Sequence, residues 1–150
     1  MKKSLINQGV NVVAFEKGNI KFAATIAWST QVDYDKILLL MGSQSDTGNS
    51  IEKGQIIGVS ALTKNQIEIS EKIGENHSKT TDKLTGINYI EEKVNGHQET
   101  AITIVDAVNQ MVVEVIDVIH LQEIEEDSLI YGRVLKANNT DKEFLSTSDF

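Results

Sequence analysis

The sequence predicts a mostly β fold, a largely antiparallel barrel with short helical insertions. Three observations carry that prediction. Apolar runs of strand length recur along the chain, as in "VNVVAF" (10–15), "KILLLMG" (36–42) and "QIIGVSAL" (55–62). Most runs follow one another through turn signals rather than through helices. The two helical patterns are short and do not alternate regularly with strands, as a doubly wound fold would require.

Taken in order, "VNVVAF", the Gly-Asn turn in "EKGN" (16–19) and "IKFAATIAWST" (20–30) propose a hairpin. "KILLLMG" is a continuous apolar run, fit for a strand buried on both faces. In "SDTGNSIEKG" (45–54), Ser45, Asp46 and Thr47 offer N-caps, Ile51 faces inward and Gly54 ends a short helix. The strand "QIIGVSAL" follows. A second helix is expected over 63–78, with Thr63 as cap before Gln66 and Gly74 as breaker. Residues 79–101 have few apolar positions and read as a long loop. "AITIVDAVNQMVVEVIDVIHLQEI" (101–124) alternates over much of its length, and "SLIYGRVLKANN" (128–139) is the last strand, joined to it through a carboxylate-rich turn.

The 150 residues suit one domain, 1–150, with a tail over about 138–150 expected to be mobile. A net charge of -8, with Arg133 as the only arginine, argues against a nucleic-acid partner, which needs cations to neutralise phosphates. A local nest of amides can still hold one small anion. The absence of cysteine excludes disulfides, iron–sulfur clusters, thiolate zinc sites and Cys nucleophiles. The N-terminus lacks the pattern of a signal peptide and no apolar run approaches the roughly 20 residues of a membrane span, so a cytoplasmic address and no membrane partner are expected.

No catalytic constellation stands out. His77, His97 and His120 lie far apart without metal-ligand spacing, so no metal is expected. There is no G-x-S-x-G elbow, and neither nucleotide fingerprint, G-x-G-x-x-G or G-x-x-x-x-G-K-[ST], is present. What remains is "MGSQSDTG" (41–48), where Ser43, Ser45 and Thr47 alternate after a buried strand. They read either as an ordinary capped turn or as hydroxyls placed for an anion. Trp28, the only tryptophan, is either core packing or the wall of a planar ligand site.

The segments "TIAWSTQVDYD", "SQSDTGNSIEKG", "GVSALTKNQ" and "TDKLTG" follow one another in an order and spacing that resembles the flavin reductase-like family over residues 10 to about 137. The resemblance implies an FMN-binding split β-barrel. It implies that Thr25, Ile26, Ala27, Trp28, Ser29 and Thr30 line the flavin, that Ser43, Ser45 and Thr47 serve its phosphate, and that Ser60 passes along the ring. Asp82 and Lys83 would lie near the cofactor, Lys83 as the cation for the phosphate. This sequence departs from the family's habit at Lys36, where proline is common, at Ser60 (asparagine), at Leu84 (an aromatic) and at Ser128 (histidine).

The implied activity is hydride transfer from NAD(P)H to bound FMN, which needs binding and orientation rather than protein acid–base groups. No catalytic residue is therefore expected. The resemblance also implies a homodimer, with 101–105 and 110–119 partly at the interface, and a possible protein electron donor or acceptor. Two alternatives stand beside it: an FMN-binding electron carrier reduced by a protein, and a split barrel that binds no flavin.

Overall fold

The computed structural model describes residues 5–74, 78 and 82–150. Nine antiparallel strands form one sheet, β1 (Asn11–Lys17), β2 (Ile20–Ile26), β3 (Ser29–Asp33), β4 (Lys36–Met41), β5 (Ile56–Ala61), β6 (Tyr89–Lys93), β7 (Thr100–Ile104), β8 (Asn109–Ile119) and β9 (Ser128–Asn139). Their spatial order is β3-β4-β9-β8-β5-β1-β7-β6, with β2 paired to the other flank of β1. Helix α1 is Asp46–Asn49, and a 3-10 turn at Lys64–Gln66 leads into helix α2, Ile67–Gly74.

The first hairpin forms as the sequence predicts. Gly18 and Asn19 both take positive φ, 59° and 67°, as a tight two-residue hairpin turn demands, and Lys17 pairs with Ile20 across it. Phe15 and Phe22 sit opposite each other in that hairpin with ring centroids 5.2 Å apart. Alternation then splits the apolar residues of β1 and β2 between two cores. Val13, Phe15, Phe22, Ala24 and Ile26 fill the barrel interior with residues of β4, β5, β8 and β9. Val12, Ala14 and Ala23 face a second core built with Ile73 of α2, Leu84, Ile102 and Ile104. Two buried faces explain why β1 reads as an unbroken apolar run.

Beyond β2, one flank of β1 is shared. Asn11–Ala14 pair with β5, and Phe15–Glu16 pair with β7. The two partners separate at Gly58, where a Cβ would lie 2.0 Å from the Ile102 carbonyl oxygen. Only glycine lets β7 cross so close over β5. All five residues of β7 are buried within this chain, its apolar side chains packing on the chain's own cores.

Five sequence expectations are revised. The run 20–30 is two strands broken at Ala27-Trp28, because β2 pairs with β1 whereas β3 pairs with β4. The long loop contains β6, an edge strand whose exposed Glu91 and Lys93 hide the apolar pattern that would have announced it. The run 101–124 breaks between β7 and β8 at a turn where Asp106 has a φ of 66°. The far end of the tail is packed: Leu145 is buried, and its N–H donates to the Leu62 carbonyl while its carbonyl accepts from Val10 N–H. The helix expected over 45–54 is shorter, ending at Asn49, although Ser45 caps it as predicted.

Candidate functional site

The stretch expected to line a flavin ends β2, crosses a two-residue link and opens β3. Its side chains do not share one surface. Thr25 points to the outer side of β2 and donates to the Ser70 carbonyl of α2 at 2.8 Å. Ile26 faces the barrel interior. Ala27 is half-buried, and Trp28, 57% exposed, is held at the surface by its carbonyl, which accepts from Leu40 N–H. Of the two roles open to Trp28, core packing is thereby corrected. Ser29 accepts from Asn11 Nδ2 at 2.9 Å, and Thr30 is exposed beside it.

The hydroxyls after β4 are placed differently from one another. Ser43 donates its backbone N–H to Asp127, and Ser45 Oγ accepts Gly48 N–H as the N-cap of α1. Thr47 is only 1% exposed, and its hydroxyl lies 3.3 Å from Ser78 Oγ. Ser78 in turn spans both backbone groups of Ala23, accepting its N–H at 3.0 Å and donating to its carbonyl at 3.2 Å. Lys83, 7% exposed, donates Nζ to the same carbonyl at 2.8 Å. Thr47, Ser78 and Lys83 thus converge on Ala23, at the flank of β2 that no strand pairs.

Burial holds the Lys83 ammonium below the usual lysine range, and the Asp46 carboxylate opposes that shift in part. A cation kept in such surroundings gains from a nearby anion, because a desolvated charge is costly until it is paired. Asp82, exposed, accepts Leu84 N–H and so shapes the turn that inserts Lys83. Lys83, with two ammonium protons beyond the one given to Ala23, and the Thr47 hydroxyl are donors of a kind that suits a phosphate, whereas Ser78 has given its single proton to the Ala23 carbonyl.

Ser60 is a different case. It is fully buried, faces away from the barrel interior, and accepts Ile104 N–H at 2.9 Å. It clamps β7 onto β5.

A cleft of about 540 Å3 opens at the mouth of the barrel. Its floor is made by Ile37, Leu39, Val59 and Met111, and its rim includes Asn11, Ser29, Thr30, Asn109 and Phe144. Of the residues expected to hold flavin, only Ser29 and Thr30 reach it. Sequence reasoning overlooked Ser78 and Asn11. The signal for Asn11 was present: it shares its strand face with Val13 and Phe15, a polar group on the interior side of β1.

The profile of the flavin reductase like domain matches residues 1–146. Among solved structures, the NADH:FAD oxidoreductase SgcE6 of Streptomyces globisporus C-1027 is 17% identical and superposes with a TM-score of 0.79, covering 94% of this chain and 81% of that one. The flavoredoxin of Methanosarcina acetivorans is 11% identical with a TM-score of 0.76 over 92% and 72% of the two chains. The FMN-binding protein of Thermus thermophilus, solved with p-hydroxybenzaldehyde, is 13% identical with a TM-score of 0.77 over 93% and 75%. These likenesses establish a common fold. A search of curated proteins finds no match.

Proposed function

The chain belongs to the flavin reductase-like domain family, and from that premise we propose that it is an FMN-binding oxidoreductase that takes reducing equivalents from NAD(P)H. The observation that carries the assignment is the convergence of Lys83, Ser78 and Thr47 on the unpaired flank of β2, on the strand that leads to exposed Trp28. Lys83 and the Thr47 hydroxyl would bind the FMN phosphate, with Ser78 holding the strand edge beside them. Trp28 would flank the ring. A bound flavin supplies the hydride acceptor, so the chain's own work is binding, orientation and exclusion of water. The relatives titled NADH:FAD oxidoreductase and FMN-binding protein support flavin as the cofactor class.

A homodimer, a cytoplasmic address and a single domain over 1–150 belong to the same proposal. No helix among the described residues is long and apolar enough to cross a membrane. A second reading, an electron carrier reduced by a protein, draws on Leu84: the position where the family often has an aromatic is a leucine that is buried in the second core and offers no surface to a nicotinamide. Anaerobic addition of NADH or NADPH to the FMN-loaded protein separates the two. Bleaching of the flavin absorbance within seconds supports the reductase, and an unchanged spectrum with tightly held FMN selects the carrier.

A further inference from the structure

The barrel-mouth cleft has a chemistry unlike that of the Lys83 cluster. None of its lining residues carries a charge, in a chain where 24% of residues are charged. Its floor is aliphatic. Two amides face it from opposite sides of the β1–β5–β8 surface, and each spends one side-chain hydrogen bond on the fold. Asn11, 8% exposed, donates Nδ2 to Ser29, and among the described residues its Oδ1 has no partner. Asn109 accepts Ala61 N–H on its Oδ1 at 3.1 Å, and among the described residues its Nδ2 donates to nothing. The groups left over include an acceptor on Asn11 and a donor on Asn109, above an apolar floor.

We propose that this cleft binds an uncharged planar ring bearing an amide edge, that is, a carbonyl beside an N–H, at a place separate from the flavin. The ligand's N–H would donate to Asn11 Oδ1, its carbonyl would accept from Asn109 Nδ2, and its faces would pack on Leu39, Val59 and Met111. A carboxylate or phosphate is disfavoured, because among the described residues no cation lines the cleft to offset its desolvation. The volume lies within the range of about 300–1,000 Å3 usual for small-molecule sites. Separateness rests on the flavin reading, since it is that reading which seats FMN on the outer flank of β2; the chemistry of the cleft does not depend on it.

Benzamide and benzoate test the claim, having the same ring and differing in the charge of the substituent. With flavin-free protein followed by 15N NMR, benzamide is expected to shift the side-chain amide resonances of Asn11 and Asn109, and benzoate to bind at least tenfold more weakly. Asn11→Asp should weaken benzamide at least tenfold. Because Asn11 also supports the barrel, Ala137→Asp at the exposed rim provides a second variant expected to act in the same direction while leaving the fold intact. Saturation with FMN should leave benzamide affinity unchanged, and Lys83→Met should not alter it. Equal binding of benzoate, shifts confined to other residues, or no shifts at all would overturn the proposal, and displacement of benzamide by riboflavin would overturn its separateness. Benzamide binding to a protein that takes no FMN supports the cleft and refutes only the flavin reading.

Discussion

Lys83 Nζ donates to the carbonyl of Ala23 at 2.8 Å, from a position 60 residues away in sequence, and Ser78 completes the same backbone unit by bonding both its N–H and its carbonyl. A strand edge that no other strand covers is thereby closed by side chains that also form a cationic, hydroxyl-lined corner. Whether the corner serves only the edge or also a phosphate is open to direct test.

Replacing Lys83 with Met should separate the two roles. A charge-assisted hydrogen bond is worth about 1.5–3 kcal/mol, so FMN affinity is expected to fall about 10- to 100-fold. Riboflavin, which lacks the phosphate, should bind the variant and the parent alike. Parallel titrations of the two flavins check this, and equal losses for both would refute the phosphate role.

The lowered proton affinity of Lys83 gives a pH signature. Folding disfavours its charged form, so the cost is fully present below the folded pKa and is relieved as pH rises through that value towards the unfolded value near 10.5. Lys83→Met, free of this cost, should therefore lose its relative advantage as pH rises across that window, as read by urea denaturation. In the parent, FMN affinity should decline over the same rise, as the ammonium is neutralised, whereas riboflavin affinity should follow no such trend.

Thr47→Val removes a nearly inaccessible hydroxyl. Ser78 keeps both bonds to Ala23, so the stability loss should be modest, about 0.5–1.5 kcal/mol. FMN should bind more weakly than to the parent at unchanged fold, as checked by circular dichroism and flavin titration.

Ser60→Ala tests the corrected role of that residue. It leaves the buried Ile104 N–H without its acceptor, which should cost about 1–3 kcal/mol. Flavin affinity of the folded variant should stay within twofold of the parent. A large loss of affinity without a loss of stability would restore Ser60 to the ligand site.

Gly58→Ala should be more damaging than any of these. The new methyl would meet three backbone atoms of Ile102 within 2.7 Å, and backbone cannot rotate away as a side chain can. Overpacking of this kind costs about 1–3 kcal/mol or more. Gly132→Ala meets a side-chain carbon of Val113 rather than backbone, and should be milder. Urea midpoints of the two variants check the order.

These cases mark what could be read in the sequence. The first hairpin, β4, β5 and the N-cap at Ser45 follow from local chemistry: apolar runs, a Gly-Asn turn, a capping hydroxyl. The break at Ala27-Trp28 does not, because it depends on which neighbour each half pairs with. β6 was hidden by its own edge position, where charged residues replace the alternation that marks a half-buried strand. Within the site, Lys83 was legible through the resemblance. Ser78 was not, since its partner Ala23 lies 55 residues away and only the fold joins them. Ser60 shows the converse error: a motif position can be filled by a residue whose hydroxyl is committed to holding another strand.

The most direct test of flavin binding is titration of the flavin-free protein with FMN, followed by the fluorescence of Trp28. That tryptophan is the only one in the chain and is exposed where the ring would sit. Saturable quenching at one FMN per chain, with a bathochromic change in flavin absorbance and weaker binding by Lys83→Met, is the predicted result. Unchanged Trp28 emission and an FMN spectrum identical to that of free flavin would contradict it.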